Sequence, residues 1–399
     1  MSAVHFGREH DLPTSIRGGG HSVAGLAVSD GGLMIDCAPM KGVRVDPAKG
    51  TARAEPGVIW GEFDAATQAH GLATVGGVVS TTGIAGLTLG GGQGWLTGKH
   101  GLSLDNLLAA EVVTADGELV RASAEEHLDL FWALRGAGAN FGVVTAFEYR
   151  LHPVGPTVLG GMVLHPLARA REVLRFYRAF AANQPDELTT YAALLTAPDG
   201  NPVIAMVCCY AGSVEAGEKA VEPLRRFGPP VADLIGPMPY VAVQGLIGQG
   251  FPPGRLNYWK STLLREIPDE VIEALVAYAG QVPSPHTAIA IVDTHGAYGR
   301  VAPDATAYAH RDLPFDLVIL ASWTNPVDTE RNIGWTRSLY EAIRPYAPAG
   351  VYVNDLDGDE RQGRVRDAYG TSYARLAGLK RVWDPTNFFR ANHNIQPAE

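Results

Sequence analysis

The chain has 399 residues, 46% hydrophobic and 19% charged, which is enough for about two to three globular domains. Its net charge of −10, with no run of Lys or Arg, argues against nucleic acid or an anionic membrane as the main partner. No apolar stretch reaches the roughly 18–20 residues of a membrane span, and the start lacks a signal core. The cysteines Cys37, Cys208 and Cys209 lack metal-site spacing and fit reduced thiols. We therefore expect a cytoplasmic protein.

The first part of the chain predicts short strands and helices around glycine-rich turns. Residues 2–11 are typical of the end of a helix. Strands are predicted over 33–36, 43–46, 51–54 and 143–151, with a hairpin formed by 111–114 and 118–121 around Asp116-Gly117. Helices are predicted over 60–70 and, from a capping box of Ser123 and Glu126, to Arg135. Residues 74–104 are predicted as a long glycine-rich loop region.

Pro153 and Pro156 mark a domain boundary, because the pattern of predicted strands and helices changes after them. Strands are then predicted over 158–164, 190–196, 203–210, 287–293 and 316–323, and helices over 168–183, 214–227, 268–281 and 328–344. This order predicts an α+β domain with helices on one face of a mainly antiparallel sheet. The stretch from Arg361 to Lys380 is predicted to be a further helix.

Glycine departs most clearly from the average composition, because the chain has 47 glycines in 399 residues. The excess falls mainly before residue 165. Three clusters stand out, at 17–22, 90–94 and 136–142. Successive amide N–H groups in such turns hold anions, typically phosphates. A Rossmann site needs the order strand, glycine turn, helix, whereas 136–142 has the reverse order, and the Walker and Gly-x-Ser-x-Gly patterns are absent. The clusters therefore predict a large phosphate-bearing cofactor wrapped by several loops.

The segment Arg17-Gly-Gly-Gly-His21-Ser22 resembles the flavin-attachment motif of berberine-bridge-enzyme-like FAD-linked oxidases, within the vanillyl-alcohol-oxidase class. The resemblance covers essentially the whole chain. It continues through GIAGLTLGGG at 83–92, LDNL at 104–107, VVTADG at 112–117, DLFWALRG at 129–136, GANFGVVT at 138–145, the His310-Arg311 pair, Trp323, YVN at 352–354 and NHNIQP at 392–397.

The family likeness implies an α+β fold with a PCMH-type two-part FAD-binding domain and a substrate domain. We expect the FAD-binding domain over 1–155, the substrate domain over 156–360, and a C-terminal segment over 361–399 that returns to the FAD-binding domain. Family members carry another strand–helix portion before the first helix. This chain begins inside that helix, so we expect the first strand–helix portion to be missing.

The resemblance also implies that His21 bonds covalently to the 8α carbon of FAD; the alternative is that His21 only hydrogen-bonds within its loop. The implied cofactor-binding residues are Arg17, Gly18, Gly19, Gly20, His21, Ser22, Gly83, Gly86, Gly90, Gly91, Gly92, Gly94, Asp105, Asn106, Gly138, Asn140, Gly142, Val143, Val144, Asn392 and Asn394. Val79 stands where many members have a second attachment cysteine, which predicts one covalent link and argues against large oligosaccharide substrates. Thr82 stands where side-chain bulk controls oxygen access, which favours an oxidase.

Family likeness makes Tyr352 the first choice for the catalytic base, and the alternative for Tyr352 is a core tyrosine. Alternation along an extended strand puts Asn354, rather than Asp355, on the same face as Tyr352. His310 and Arg311 are expected to be structural, with binding of a polar substrate group as the alternative. Asp293 and His295 are expected in a solvated turn, with a base and its orienting partner as the alternative. Residues 355–360 are expected to form a solvent loop.

The predicted function is that of an FAD-dependent oxidoreductase that takes a hydride from a small alcohol, amine or heteroaromatic metabolite, with reoxidation by O₂. The alternative is a flavin-binding or degenerate, truncated member without turnover. No metal, nucleic acid or membrane partner is expected. The sequence does not identify the substrate, because one scaffold of this kind supports many chemistries.

Overall fold

The computed structural model of the chain describes residues 1–348, 350–359 and 362–399. In its first part the strands are β1 (Thr14–Arg17), β2 (Leu33–Asp36), β3 (Val43–Asp46), β4 (Thr51–Ala54), β5 (Leu72–Ala73), β6 (Leu107–Val113), β7 (Leu119–Ser123), β8 (Val143–Arg150) and β9 (His152–Pro153). The helices there are α1 (Ser2–Glu9), α2 (Trp60–Gln68), α3 (Ile84–Gly90), α4 (Thr97–His100) and α5 (Leu128–Ala137).

The first large sheet has the order β3-β4-β8-β6-β7 and is antiparallel throughout. Its strands alternate small or apolar residues facing inward with polar residues facing outward, as expected for a half-buried sheet. The core beneath it is built on Trp60, Phe63 and Tyr149, whose rings meet edge to face at centroid separations of 5.4–6.1 Å. A parallel pair, β1 and β2, lies outside this sheet and leads into the first glycine cluster.

The second part is built on a larger sheet. Its strands are β10 (Thr157–Pro166), β11 (Leu188–Thr196), β12 (Pro202–Tyr210), β13 (Ala232–Asp233), β14 (Gly236–Pro239), β15 (Leu256–Leu264), β16 (Ala288–Asp293) and β17 (Phe315–Trp323). The helices are α6 (Ala170–Ala181), α7 (Val214–Arg226), α8 (Tyr240–Gln244), α9 (Asp269–Ala279), α10 (Ala297–Arg300) and α11 (Thr329–Ile343).

This larger sheet has the order β13-β10-β12-β11-β16-β17-β15, with β14 also paired to β10. One face carries the main core, in which α6, α7, α9 and α11 pack against residues such as Leu317 and Ile319 of β17. Because successive strand residues point to opposite faces, Val318 and Leu320 face away from these helices. That second face looks toward the first part of the chain and forms one wall of the cavity described below.

The C-terminal stretch contains α12 (Gln362–Tyr369) and α13 (Tyr373–Trp383). Leu376 and Ile395 are fully buried in the same cluster as Trp60, so this stretch packs against the first sheet. The predicted domain boundary between 360 and 361, and the predicted helix start at Arg361, lie outside the described residues. No helix in the described part of the chain is long and apolar enough to cross a membrane.

Three sequence predictions of local structure are wrong. The region 74–104 is not one long loop, because it contains α3 and α4. The capping box at Ser123 is absent: Ser123 ends β7, its Oγ accepts hydrogen bonds from the Glu125 and Glu126 amides, and α5 begins only at Leu128. The helix predicted to Lys380 is interrupted at Gly370, whose φ is +47°, so two shorter helices form.

Candidate active site

The glycine loops of the first part and the second face of the larger sheet enclose a cavity of ≈ 410 Å³. Residues 18–22 and Gly86 line one side. The opposite wall is formed by Trp259, Val292, Val318 and Leu320 on three neighbouring strands. Tyr352, Val353, Asn354 and Asp355 form its floor between these two walls. A concave, mainly apolar site with a few polar groups is the usual form of a small-molecule or cofactor site.

The first glycine cluster follows directly after β1 and presents free backbone donors. None of the amide N–H groups of residues 18–22 donates to another protein atom within the described residues. His21 is accessible from the cavity, and its Nε2 lies 3.1 Å from Oγ1 of Thr81. Desolvation by the surrounding protein lowers the pKa of His21, so its imidazole is neutral at pH 7. A neutral ring keeps a nucleophilic nitrogen, as covalent attachment of a flavin requires.

Two glycines let the first and second loops touch through their backbones. A Cβ on Gly19 would lie 2.5 Å from the Cα of Gly83, and a Cβ on Gly83 would lie 2.4 Å from the amide nitrogen of Gly19. Gly86, three residues further along and inside α3, has the opposite surroundings: a Cβ there meets no atom of the described residues within 4 Å. Gly86 therefore faces open cavity, where a ligand could approach the helix backbone.

The run Gly90-Gly91-Gly92 serves close packing of protein against protein. A Cβ on Gly90 would lie 2.1 Å from Oδ1 of Asn354, and one on Gly91 would lie 2.7 Å from the ring of Tyr352. The backbone at Gly91 also has φ of +151°, which side-chain-bearing residues rarely adopt. These glycines therefore make room for the two predicted catalytic side chains, and Gly90 also lines the cavity.

Tyr352 and Asn354 lie together at the cavity floor. The Tyr352 hydroxyl oxygen accepts hydrogen bonds from the Gly92 amide at 2.7 Å and from Asn354 Nδ2 at 2.7 Å. Asn354 Nδ2 also donates to the Leu87 carbonyl. The shared face was predicted from strand alternation, whereas residues 353–355 form a 3₁₀ turn. Burial raises the pKa of Tyr352 far above its usual value, so its phenol keeps its proton at neutral pH.

The third glycine cluster meets the C-terminal stretch at the cavity wall. Asn140 Oδ1 accepts from the Ile395 amide, and Asn392 Nδ2 donates to the Ala139 carbonyl at 2.8 Å. Asn392 Oδ1 is buried and has no hydrogen-bond partner among the described residues, and Asn392 lines the cavity. Gly138 and Asn140 line it as well.

Several sequence-predicted cofactor residues lie outside the cavity wall: Arg17, Gly91, Gly92, Gly94, Asp105, Asn106, Gly142, Val143, Val144 and Asn394. Asp105 forms a buried bidentate ion pair with Arg311, at 2.7 and 2.8 Å. Asn106 donates to the His100 and Leu102 carbonyls, and its Oδ1 lies 2.6 Å from Nε2 of His152. These contacts hold the loops behind the cavity, and the cofactor role of these residues stays a prediction.

His310, Arg311, Asp293 and His295 also lie outside the cavity wall. His310 Nε2 contacts the Asp367 carbonyl at 2.7 Å, so the His310-Arg311 pair joins segments of the protein to one another. Asp293 and His295 do not form a solvated turn, because Asp293 is 1% exposed and lies 3.3 Å from Nδ1 of His295.

The predicted solvent loop over 355–360 is wrong at its first residue. Asp355 lines the cavity beside Asn354 and Tyr352, and protein surrounds its carboxyl group. Glu360 lies outside the described residues. Three further residues contact the site and are not predicted from the sequence: Thr81, Gln93 and Asp316. For Asp316 the sequence holds one indication, because it is the only charged residue within the otherwise apolar segment Phe315–Leu320.

The residues present fit FAD. In the part of the chain that the structure describes, the backbone N–H groups of residues 18–22 and the buried Asn392 Oδ1 have no hydrogen-bond partner, and Gly86 leaves open space. A dinucleotide with a pyrophosphate and an electron-poor ring system needs such backbone donors and an apolar slot.

Comparisons with known proteins agree with this geometry. Residues 1–123 match the FAD binding domain family, and residues 351–396 match the berberine and berberine-like family. An FAD-linked oxidoreductase of Dictyostelium discoideum is 33% identical, with 100% of this chain and 86% of that protein covered.

Two solved structures show the same architecture. The crystal structure of 6-hydroxy-D-nicotine oxidase from Arthrobacter nicotinovorans superposes with a TM-score of 0.89 at 29% identity, covering 99% of this chain and 89% of that one. Xylooligosaccharide oxidase from Myceliophthora thermophila C1, in complex with xylobiose, gives 0.87 at 25%, with 99% and 89% covered. The predicted α+β fold with its PCMH-type FAD-binding domain is confirmed. The chain belongs to the berberine-bridge-enzyme-like family of FAD-linked oxidoreductases.

Proposed function

We propose that the protein oxidises a compact, largely apolar alcohol, amine or heteroaromatic metabolite, with FAD bound covalently through His21 and O₂ as the final electron acceptor. The observation that carries this proposal is the apolar wall opposite the His21 loop. Trp259, Val292, Val318 and Leu320 offer a substrate dispersion contacts and few hydrogen bonds. A sugar chain needs several polar partners, so this wall favours a small aromatic or aliphatic substrate.

Bound FAD would supply hydride acceptance, and the chain's own residues supply binding and orientation. Residues 18–22 and Gly86 would hold the cofactor on one side, and the apolar wall would press the substrate against it. Tyr352 would donate its phenolic hydrogen to the substrate oxygen or nitrogen, because its own oxygen already accepts two hydrogen bonds. Thr82 lines the cavity and stands where, by family resemblance, side-chain bulk controls the access of oxygen. Its modest side chain supports the proposed reaction with O₂.

Nε2 of His21 is occupied by the contact with Thr81 Oγ1, which leaves Nδ1 as the ring nitrogen open to attachment. Attachment through Nδ1 requires the tautomer in which Nε2–H donates to Thr81 Oγ1 and Nδ1 carries the lone pair. Val79 lines the cavity and offers no thiol for a second link. The buried free thiols Cys37, Cys208 and Cys209 support the proposed cytoplasmic location.

Intact-mass measurement and acid precipitation of the purified protein test attachment. We expect the wild-type protein to carry the mass of one FAD and to stay yellow after precipitation. His21→Ala should bind FAD only reversibly, and Thr81→Val should slow attachment while leaving it complete after long incubation with FAD. A His21→Ala protein that retains acid-stable colour would refute the attachment site.

Hydrogen peroxide release tests turnover. We would offer benzyl alcohol, N-methylbenzylamine and 6-hydroxynicotine as compact substrates, with xylobiose as a bulky polar contrast. Peroxide from a compact compound and not from xylobiose is the expected result. A flavin-loaded protein that none of these compounds reduces would favour the alternative, a flavin-binding member without turnover.

A further inference from the structure

A pair of aspartates, Asp316 and Asp355, lies at the cavity floor. Asp316 belongs to β17 and points to the same sheet face as Val318 and Leu320, which line the cavity. Asp316 is 0% exposed. Asp355 follows Asn354 and lines the cavity itself. The two carboxyl groups are within hydrogen-bonding contact of each other.

Neither carboxyl has enough other donors to satisfy it as an anion. Asp316 Oδ2 accepts a hydrogen bond from Gln93 Nε2 at 2.9 Å. Asp316 Oδ1 is buried and receives no hydrogen bond from an N–H or hydroxyl group of the described residues. Within those residues, no Lys or Arg forms an ion pair with either aspartate. Two buried carboxylates in contact repel each other unless a proton lies between them.

The contact therefore requires one shared proton, so the pair carries a single negative charge. Burial raises the pKa of Asp316 to about 7 and raises that of Asp355 well above its usual value. Among the described residues, the other titratable groups that face Asp316 are the phenols of Tyr191, Tyr298, Tyr308 and Tyr352. Burial raises the pKa of each of these phenols, so they stay neutral and leave the pair as the local anion.

We propose that Asp355, in its pair with Asp316, is the base that accepts the substrate's proton. The inference rests on the proposed function. The substrate's O–H or N–H bond breaks and its proton passes to the carboxylate pair, which becomes neutral. The carbon that bears this oxygen or nitrogen loses a C–H hydrogen, which leaves with both electrons of the bond as hydride to FAD. A C=O or C=N bond forms between that carbon and the oxygen or nitrogen. Asp355 touches the cavity and is the catalytic residue; Asp316 is a positioning residue.

This assignment moves the role of base away from Tyr352. A phenol with a strongly raised pKa holds its proton at neutral pH and cannot accept another. It can donate a hydrogen bond to the substrate oxygen or nitrogen, and so orient the proton toward the aspartate pair. The pair, by contrast, has one acidic proton and room for a second.

The first test uses no turnover. Infrared spectra of protein with ¹³C-carboxyl-labelled aspartate should show a protonated carboxylic acid at pH 7 that is lost in Asp355→Asn. Asp64→Asn is the matched control, because Asp64 is also a buried aspartate whose pKa burial raises to about 7, and it lies outside the cavity wall. Asp64→Asn should remove a separate component and leave the pair's band. An Asp355→Asn spectrum that keeps this band would overturn the shared proton.

The second test is anaerobic stopped-flow reduction of the flavin. The substrate is the compound that releases most peroxide among benzyl alcohol, N-methylbenzylamine, 6-hydroxynicotine and xylobiose, the panel named above. Asp355→Asn should slow reduction about 10²–10⁴-fold and flatten its pH profile. Asp316→Asn should shift the profile, and Asp64→Asn should leave it unchanged. If Tyr352→Phe instead abolishes the pH dependence while Asp355→Asn keeps it, the inference fails and the proposed function stands. A wild-type flavin that no panel compound reduces would overturn the proposed function, and with it the base.

Unfolding midpoints and bound flavin separate these effects from misfolding. Asp355→Asn should retain covalent FAD, because attachment depends on His21 at the other wall. If Asp355→Asn fails to fold, Asp355→Glu keeps the carboxyl group and should shift the pH profile. An Asp355→Glu profile identical to that of the wild type would count against the pair as the titrating base.

Discussion

Lys380 Nζ lies 2.7 Å from Asp384 Oδ2, and both side chains are fully buried. The ammonium group also donates to the Asn140 carbonyl at 2.7 Å and to the Phe389 carbonyl at 2.9 Å. One charged group thus ties the third glycine cluster to the C-terminal stretch at the edge of the cavity. Its pKa is lowered by burial and held up by the neighbouring Asp384 carboxylate.

We predict that Lys380→Met lowers the free energy of unfolding by about 3–5 kcal/mol, because the buried Asp384 carboxylate loses its counter-ion and keeps only the hydrogen bonds from the Phe388 and Phe389 amides. FAD affinity should fall as well, because the Asn140 loop loses its hydrogen bond from Lys380 Nζ. Lys219→Met is the control: Lys219 pairs with Glu215 at the same sequence spacing, but both are exposed. Denaturant titration should show almost no change there. Equal losses in the two variants would contradict the role given to Lys380.

The open face of Gly86 gives a second prediction. Gly86→Leu should leave the folded protein as stable or up to about 1 kcal/mol more stable, because glycine is a poor residue within a helix such as α3. The leucine should project into the cavity and prevent FAD from binding. The measurements are an unfolding curve of the apoprotein and a flavin-binding titration.

Gly378 provides the control for that variant. It lies within α13, a Cβ there also meets no atom within 4 Å in the described parts of the chain, and it does not line the cavity. Gly378→Leu should gain similar helix stability and bind FAD normally. Normal FAD binding by Gly86→Leu would show that the cofactor does not approach this helix.

The stacked rings of His100 and His152 predict loss of stability in acid. Their centroids are 3.7 Å apart with planes 9° from parallel. Burial first, and then neighbouring positive charge, lowers the pKa of His100 to about 3 and that of His152 to about 4. Unfolded histidine titrates near 6.5, so the unfolded state binds more protons between about pH 6.5 and 4. The free energy of unfolding should therefore be highest above about pH 6.5 and fall as the pH drops.

His152→Gln tests this sign. The glutamine amide can still donate to Asn106 Oδ1, as His152 Nε2 does at 2.6 Å, but it does not titrate. Urea unfolding at about pH 7.5 and pH 5 should show a smaller acid loss in His152→Gln than in the wild-type protein. His70→Gln, at an exposed histidine, should match the wild type. An unchanged pH slope in His152→Gln would refute the prediction.

Part of this fold is encoded locally in the sequence. The strands at 33–36, 43–46 and 51–54 have the predicted bounds, because alternating side chains and flanking turn residues specify them without help from distant contacts. Local patterns do not predict α3, because glycine is a poor helix former and α3 contains both Gly86 and Gly90. Of these two, Gly90 is needed for tertiary packing against Asn354, a contact that no local pattern encodes. The strand Leu256–Leu264, which lacks alternation, was not predicted at all.

The site divides in the same way. The glycine motif and the Tyr352-x-Asn354 segment point to the cavity because their residue types are unusual in sequence. Asp316 and Asp355 come together only through the fold, since 39 positions separate them and each looks ordinary alone. The pairing of Asp105 with Arg311 spans 206 positions and has no local signal.

The contact between Gly19 and Gly83 constrains how this protein can change over time. Most tight contacts tolerate a larger residue when the neighbouring residue is replaced by a smaller one. Neither Gly19 nor Gly83 has a side chain that could be made smaller. Compensating substitutions are therefore closed to both positions, and variant libraries should recover glycine at 19 and 83 independently of whatever else is allowed to vary.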